Sequence, residues 1–176
     1  MPLLTARLAL RPWTTSDAPA FVLLQNDSYD HLRTYMSWSD HLFTLEDAEA
    51  RIQGWNHPQA DGMHLVLGVF ERETGLPVGE VGLHPRSGTR HVENPCMVSY
   101  WMGREYEGRG YAREAVEALL LTASVPAAYA MIEDDNHRSM NLVRRLGFSP
   151  DGRIDRFRLF RKELRVQEKE AASSAA

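Results

Sequence analysis

The run Glu107-Gly108-Arg109-Gly110-Tyr111-Ala112 sets two glycines among positive charges, with Arg104 and Arg113 on either side. It separates two elements of different period. Residues 96–102 are apolar, aromatic and β-branched types that suit a buried strand. Ala112, Ala115, Val116, Leu119, Leu120 and Ala123 then recur at the spacing of an amphipathic helix. No Ser, Thr, Asp or Asn stands at the end of the loop, so the first N–H groups of that helix are predicted to lack a local cap. Glycine lets an anion approach such a backbone, and the helix dipole favours negative charge there. The chemistry implied is phosphate binding at a helix start; the bland alternative is a glycine turn between a strand and a helix.

Two nucleotide motifs fail on this loop. The phosphate loop G-x-x-x-x-G-K-[ST] needs a Lys that is absent. The dinucleotide fingerprint would put its third glycine at Arg113, although Glu133 lies roughly where that fold wants a ribose-binding acid, ~20 residues on. The seven histidines form no H-E-x-x-H and no Cys/His cluster, so no metal is expected. Cys96 is the sole cysteine, which excludes an internal disulfide and fits a reducing cytoplasm. A net charge of −4 without a basic stripe argues against nucleic acid as a direct partner and mildly favours cationic amines. No apolar run approaches the ~18 residues of a membrane span.

The surrounding chain must position this loop. Residues 3–11 read as a first strand, ended by Pro12. Thr14 to Asp17 offer caps for a helix from Ala18, and residues 26–40 read as a short helix and loop. Thr44 and Asp47 make a weak capping box for a helix over 45–55, stopped by Asn56-His57-Pro58. Strands over 63–71 and 78–84 form a hairpin across Thr74-Gly75, and 85–94 is a loop. A strand over 127–133 follows the central helix of 112–124. A helix over 137–146 then ends at Gly147, and 157–164 is the last strand. Glu80 stands in mid-strand near Gly79 and Gly82, and a charge there is expected to face solvent or a cavity. Strand runs followed by helices predict one α+β domain over 1–165, and the polar tail of 166–176 is expected to be disordered.

Three segments resemble one family in the right order. E-G-R-G-Y-A at 107–112 resembles the acetyl-CoA loop of the GNAT N-acetyltransferases, Q/R-x-x-G-x-G/A, with Glu107 in place of Gln or Arg. L-T-A-R-L-A-L-R-P-W-T-T-S-D-A at 4–18 resembles the opening of the branch that holds the RimJ/RimL-type N-terminal acetyltransferases of ribosomal proteins. N-H-R-S-M-N-L-V-R-R-L-G-F at 136–148 resembles the second GNAT motif, N-x-x-S followed by a helix and G-F. Many members carry a Tyr four residues before that glycine; here the position is Val143.

The resemblance implies a central mixed, mostly antiparallel sheet with helices on both faces. It implies acetyl-CoA as co-substrate, with no metal. The cofactor-binding set would be Met102, Gly108, Arg109, Gly110, Tyr111, Ala112 and Arg113, with Asn136 on the pantetheine arm. Direct transfer without an acyl-enzyme leaves Cys96 out of the chemistry. Ser139, the serine of N-x-x-S, is the expected proton donor to the thiolate. Glu80 is the expected base, acting through water, with Glu133 and Asp134 as alternatives. The implied acceptor is a primary amine, foremost the α-amine of a ribosomal or other protein N-terminus, in a cytoplasmic enzyme. A small-molecule amine, or a non-catalytic acyl-CoA-binding module, are the competing readings. The oligomeric state stays open, a homodimer included.

Overall fold

The computed structural model describes residues 1–36, 38–56, 65–85, 96–123 and 125–164. The expectations for residues 57–64, 86–94 and the tail fall outside the described residues.

The N-terminal stretch is not one strand but two, β1 (Leu3–Leu4) and β2 (Leu8–Arg11), paired antiparallel. Thr5 makes the turn: its Oγ1 accepts the Leu8 N–H at 2.9 Å. Beyond Trp13, Asp17 accepts from the Thr14 N–H at 2.8 Å and from both Arg11 guanidinium nitrogens, which fixes the entry to α1 (Ala18–Asp27). A short α2 (Tyr29–Leu32) follows. α3 (Leu45–Asn56) starts at the expected capping box, with Asp47 Oδ2 accepting the Thr44 N–H at 2.8 Å.

β3 (Leu65–Glu71) and β4 (Pro77–Pro85) form the hairpin, and β4 pairs with β5 (Cys96–Met102) over seven residue pairs. α4 (Tyr111–Thr122) leads to β6 (Ala127–Glu133), then α5 (His137–Arg145). α5 ends in a Schellman motif, in which the Phe148 N–H bonds Val143 O and the Gly147 N–H bonds Arg144 O. β7 (Ser149–Ile154) and β8 (Phe157–Glu163) complete one eight-stranded sheet in the order β1-β2-β3-β4-β5-β6-β8-β7. β7 was not expected from the sequence. All its residues are exposed, so it shows no alternation, and Gly152 with a register shift after Pro150 disguises it further.

Two cores lie on the two faces. Val116 and Leu119 of α4 and Met140 and Val143 of α5 join Val81, Val98 and Met102 of the strands. On the other face, Phe21 of α1 and Ile52 of α3 pack with Trp13, Phe70 and Trp101. Alternation along β5 sends Val98 and Met102 to one side and Trp101 to the other. Gly68 permits the second core: a Cβ there would stand 2.6 Å from the Phe70 ring and 2.8 Å from Trp13. This is an α+β mixed sheet, antiparallel at every junction but one. That junction, β5 beside β6, positions the site.

Candidate active site

β5 and β6 are parallel and share only two residue pairs, Cys96↔Ala128 and Met97↔Tyr129. The ladder then stops, although each strand runs on for several residues. The unpaired ends open into a cavity of about 780 Å³. Its walls are the glycine loop with the start of α4, the start of α5, and α2 with the residues after it.

α4 begins as the sequence requires. Gly110 is its N-cap at φ +80°, a left-handed conformation that suits glycine, and no side chain caps the helix. The first helical bond runs from the Glu114 N–H to Gly110 O, so the N–H groups of residues 111–113 have no intrahelical acceptor. Gly108, at φ +72°, would carry its Cβ into open space. A diphosphate fits this cradle of bare amides at a helix N-terminus.

The loop is lashed from outside. Arg7 donates through Nη1 to Arg109 O at 2.9 Å and stacks over the Tyr111 ring. Glu114 accepts from Thr5 Oγ1 at 2.6 Å and from the Arg7 N–H and Nε. Burial works to raise the Glu114 pKa, but the bonds from Thr5 and Arg7 outweigh it and hold the carboxyl below its ordinary value. The Tyr111 hydroxyl donates to Glu71 Oε1 at 2.6 Å, which anchors the helix start to β3. The N-terminal motif therefore works as the frame of the glycine loop, a role its residue types did not announce.

On the opposite lip, Asn136 Oδ1 caps α5 by accepting the Ser139 N–H at 3.1 Å. The Tyr100 hydroxyl reaches from β5 toward Ser139 O at 3.4 Å. Burial pushes the Tyr100 phenol up to about 12, so it stays protonated at neutral pH. In the sequence Tyr100 is indistinguishable from a core aromatic of a buried strand. Its signal was a position past the end of the parallel ladder, which only the topology reveals.

Of the expected residues, Met102, Gly108, Gly110, Tyr111, Ala112, Arg113, Asn136 and Ser139 all line this one cavity. Arg109 contributes its carbonyl to Arg7 and lays its guanidinium 5.2 Å from the centre of the Tyr106 ring, outside the lining. Glu133 and Asp134 pair with Arg156, and with Arg153 and Arg158, respectively.

Glu80 corrects the expectation that it faces solvent or a cavity. It is 7% exposed and points into the second core, and it does not line the cleft. It pairs across the sheet with Gly68 and Trp101. Burial pushes its carboxyl up to about 7, against the pull of the Arg51 charge and the indole N–H groups of Trp13 and Trp101. Those two indoles are near enough to act on it, yet neither they nor Glu80 Oε2 reach hydrogen-bond geometry. Arg51 is itself caged by Trp38 and Trp55, with its guanidinium 4.2 and 4.8 Å from the ring centres. Among the described residues no group of His, Cys, Asp and Glu is arranged to hold a metal, and no helix is long and apolar enough to cross a membrane.

A model of the acetyltransferase (GNAT) domain matches residues 7–149, so the chain belongs to the GNAT acetyltransferase family and is an enzyme of the N-acetyltransferase class. A relative named uncharacterized N-acetyltransferase p20, from Bacillus licheniformis, is 28% identical over 155 residues, which are 85% of this chain and 83% of that one. The structure of RimL, a ribosomal L7/L12 α-N-protein acetyltransferase in complex with coenzyme A, superposes with a TM-score of 0.82 at 16% identity, over 93% of this chain and 98% of that one. The ribosomal-protein-S5-alanine acetyltransferase of Vibrio fischeri gives 0.78 at 19% identity, over 93% and 97%. At these identities the two structures share the fold.

Proposed function

We propose that the protein transfers an acetyl group from acetyl-CoA directly to a primary amine, foremost the α-amine of a protein or peptide, within one domain spanning 1–165. The observation that carries this reading is the uncapped N-terminus of α4 facing the same cavity as Asn136 and Ser139, where β5 and β6 part. The amides of residues 108–113 would hold the diphosphate of coenzyme A, with Arg113 at the cleft and Asn136 toward the pantetheine arm. The thioester supplies an activated acyl group. The protein then needs to hold it, let the amine in and return a proton to the thiolate. Ser139, partly exposed on the lip of α5, is the donor; the Tyr100 hydroxyl stands beside its carbonyl. His31, Tyr35 and Met36 form the wall on the α2 side, where the acceptor would enter.

The acceptor class follows from what the cleft offers a proton. Among the described residues its lining holds two carboxylates, Glu107 and Asp135, and two imidazoles, His31 and His137; Glu107 is already paired with Arg138 and lies beside His31. Only a neutral amine attacks a thioester. An α-amino group of pKa ~8 is about one-tenth neutral at pH 7, whereas a lysine at ~10.4 has roughly one part in 2,500. The difference is worth about 3 kcal/mol. A site whose only bases are carboxylates and imidazoles, both weak beside a lysine amine, favours the amine that is already partly deprotonated. The RimL and S5-alanine acetyltransferase folds agree with a protein N-terminus as acceptor. A lone buried Cys96 and the ribosomal-protein acceptors of these neighbours support a cytoplasmic setting.

The test is coenzyme A release over a panel of amines, followed by mass-spectrometric mapping of a peptide that begins with Ala or Ser and carries an internal Lys. Acetylation of the α-amine is expected. Modification of the Lys alone would overturn the acceptor assignment, and turnover only with small amines would replace the peptide by a metabolite. No release above background with any amine would reduce the protein to an acyl-CoA binder.

A further inference from the structure

Position 107 opens the glycine loop, and a carboxylate there is the wrong charge beside a diphosphate. Simple electrostatics says that removing Glu107 should tighten cofactor binding. The structure gives this side chain a different task. Its Oε2 accepts from Arg138 Nη1 at 2.7 Å, in the first turn of α5. Its Oε1 lies 3.1 Å from His31 Nε2 on α2. The Glu107 side chain is 27% exposed although it sits on the rim of the cavity, and all three residues line that cavity. One carboxylate thus joins the glycine loop, the helix on the far lip and the helix of the acceptor wall.

Geometry decides how such a junction acts. The glycine loop and α5 stand on opposite lips of the opening between β5 and β6, where no strand pairing holds the lips together. The pair Glu107–Arg138 is a direct tie between them. The bond is short and charge-assisted, and with the Arg138 side chain largely exposed it is a tie partly screened by solvent. It also uses up the negative charge of Glu107, so that the neighbouring amides face a neutralised carboxylate.

We propose that Glu107 is a positioning residue that straps the cleft, holding α5 and α2 against the glycine loop and slowing release of the bound acyl-CoA. This inference rests on the cofactor reading above. It predicts the reverse of simple electrostatics: removing the negative charge weakens binding of a negatively charged ligand.

The experiment measures coenzyme A dissociation by stopped flow, and affinity by calorimetry, on the full chain. Glu107→Gln installs the residue that the family pattern carries at this place, so folding should survive. Arg138→Met removes the partner from a side chain that is 81% exposed, where damage to the fold is least. Each variant is expected to release coenzyme A about two- to fivefold faster, the range of an ion pair with one exposed partner. The double variant should lose no more than either single one, because both remove the same tie. KM for acetyl-CoA should rise while kcat at saturation does not fall, a split that general loosening of the fold would not produce. Glu107→Asp, which keeps the charge, should retain part of the affinity. Equal or tighter binding by Glu107→Gln, or additive losses in the double variant, would overturn the strap while leaving the cofactor reading intact. Failure of the unaltered protein to bind acetyl-CoA at millimolar concentration would overturn both.

Discussion

Glu80→Gln is the sharpest probe of the second core. A glutamate carboxyl ordinarily titrates near ~4.3, and burial in the folded protein pushes Glu80 up to about 7. The direction of the effect follows from proton binding. Below the ordinary value the group is protonated in both states and costs nothing. Above it, the unfolded chain releases the proton while the folded chain keeps it, so stability falls as pH rises. The fall ends near pH 7, where the folded group ionises as well. Over that whole window the loss is about 4 kcal/mol, from ~1.36 kcal/mol per unit, and about 2.5 kcal/mol of it falls above pH 5. Glutamine has the same shape and no proton to lose, so it should escape the loss. For a chain of this size ~1 kcal/mol moves the melting temperature by ~2–4 °C. The melting temperature of the variant minus that of the unaltered protein should therefore climb by about 5–10 °C from pH 5 to pH 8. Scanning calorimetry of both proteins in matched buffers reads this difference, and every other titrating group cancels from it. Parallel curves would refute the argument, since they would mean that Glu80 ionises freely in the fold. The same variant tests the reaction. With Glu80 outside the cleft, the pH profile of kcat/KM should keep its shape, whereas loss of its acidic limb would identify Glu80 as the base after all.

Two other substitutions probe the cleft itself. Gly110→Asp places a carboxylate and a strained left-handed backbone at the N-cap of α4. It should abolish the thermal stabilisation by acetyl-CoA, ~2.7 kcal/mol at 100 times Kd for the unaltered protein, and a retained shift in calorimetry would move the diphosphate elsewhere. Ser139→Ala should lower kcat about a hundredfold or more with little change in KM for acetyl-CoA, as expected for loss of a proton donor. An unchanged single-turnover rate would leave Ser139 as a plain first-turn residue and pass the role of donor to Tyr100.

What could be read from the sequence was what is decided within a few residues. The capping box of Thr44 and Asp47, the stop at Gly147 and the bare start of α4 all depend on neighbours three or four positions away. They stood where the chain said they would. The elements that escaped are governed by contacts distant in the chain. β7 exists because β8 pairs with it, not because its own exposed residues alternate. The split of residues 3–11 into two strands turns on the bond from the Leu8 N–H to Thr5 Oγ1, one turn residue within a run that otherwise alternates. Glu80 looked like a solvated strand position because Trp13, Arg51 and Trp101, which close over it, come from three separate parts of the chain.

The same distinction governs the electrostatics of the glycine loop. Read along the chain, Arg104, Arg109 and Arg113 give the loop its positive charge, while Glu105, Glu107 and Glu114 cancel it. A count of neighbours therefore gives little attraction for a diphosphate. Folding changes the count. Glu107 is taken up by Arg138 of α5, and Glu114 by Arg7 of the N-terminal hairpin. Both arginines are remote in sequence, and each removes a carboxylate that would oppose the ligand. Arg113 keeps a partner in Glu117 at 3.3 Å, but both side chains are about half exposed, and a pair of that kind is weak. What remains at the helix start is a set of bare amides, the positive end of the α4 dipole and a rim where the cations outlast the anions. The anion site is thus local in its backbone and non-local in its charge, which is why the glycines could announce it and the charges could not.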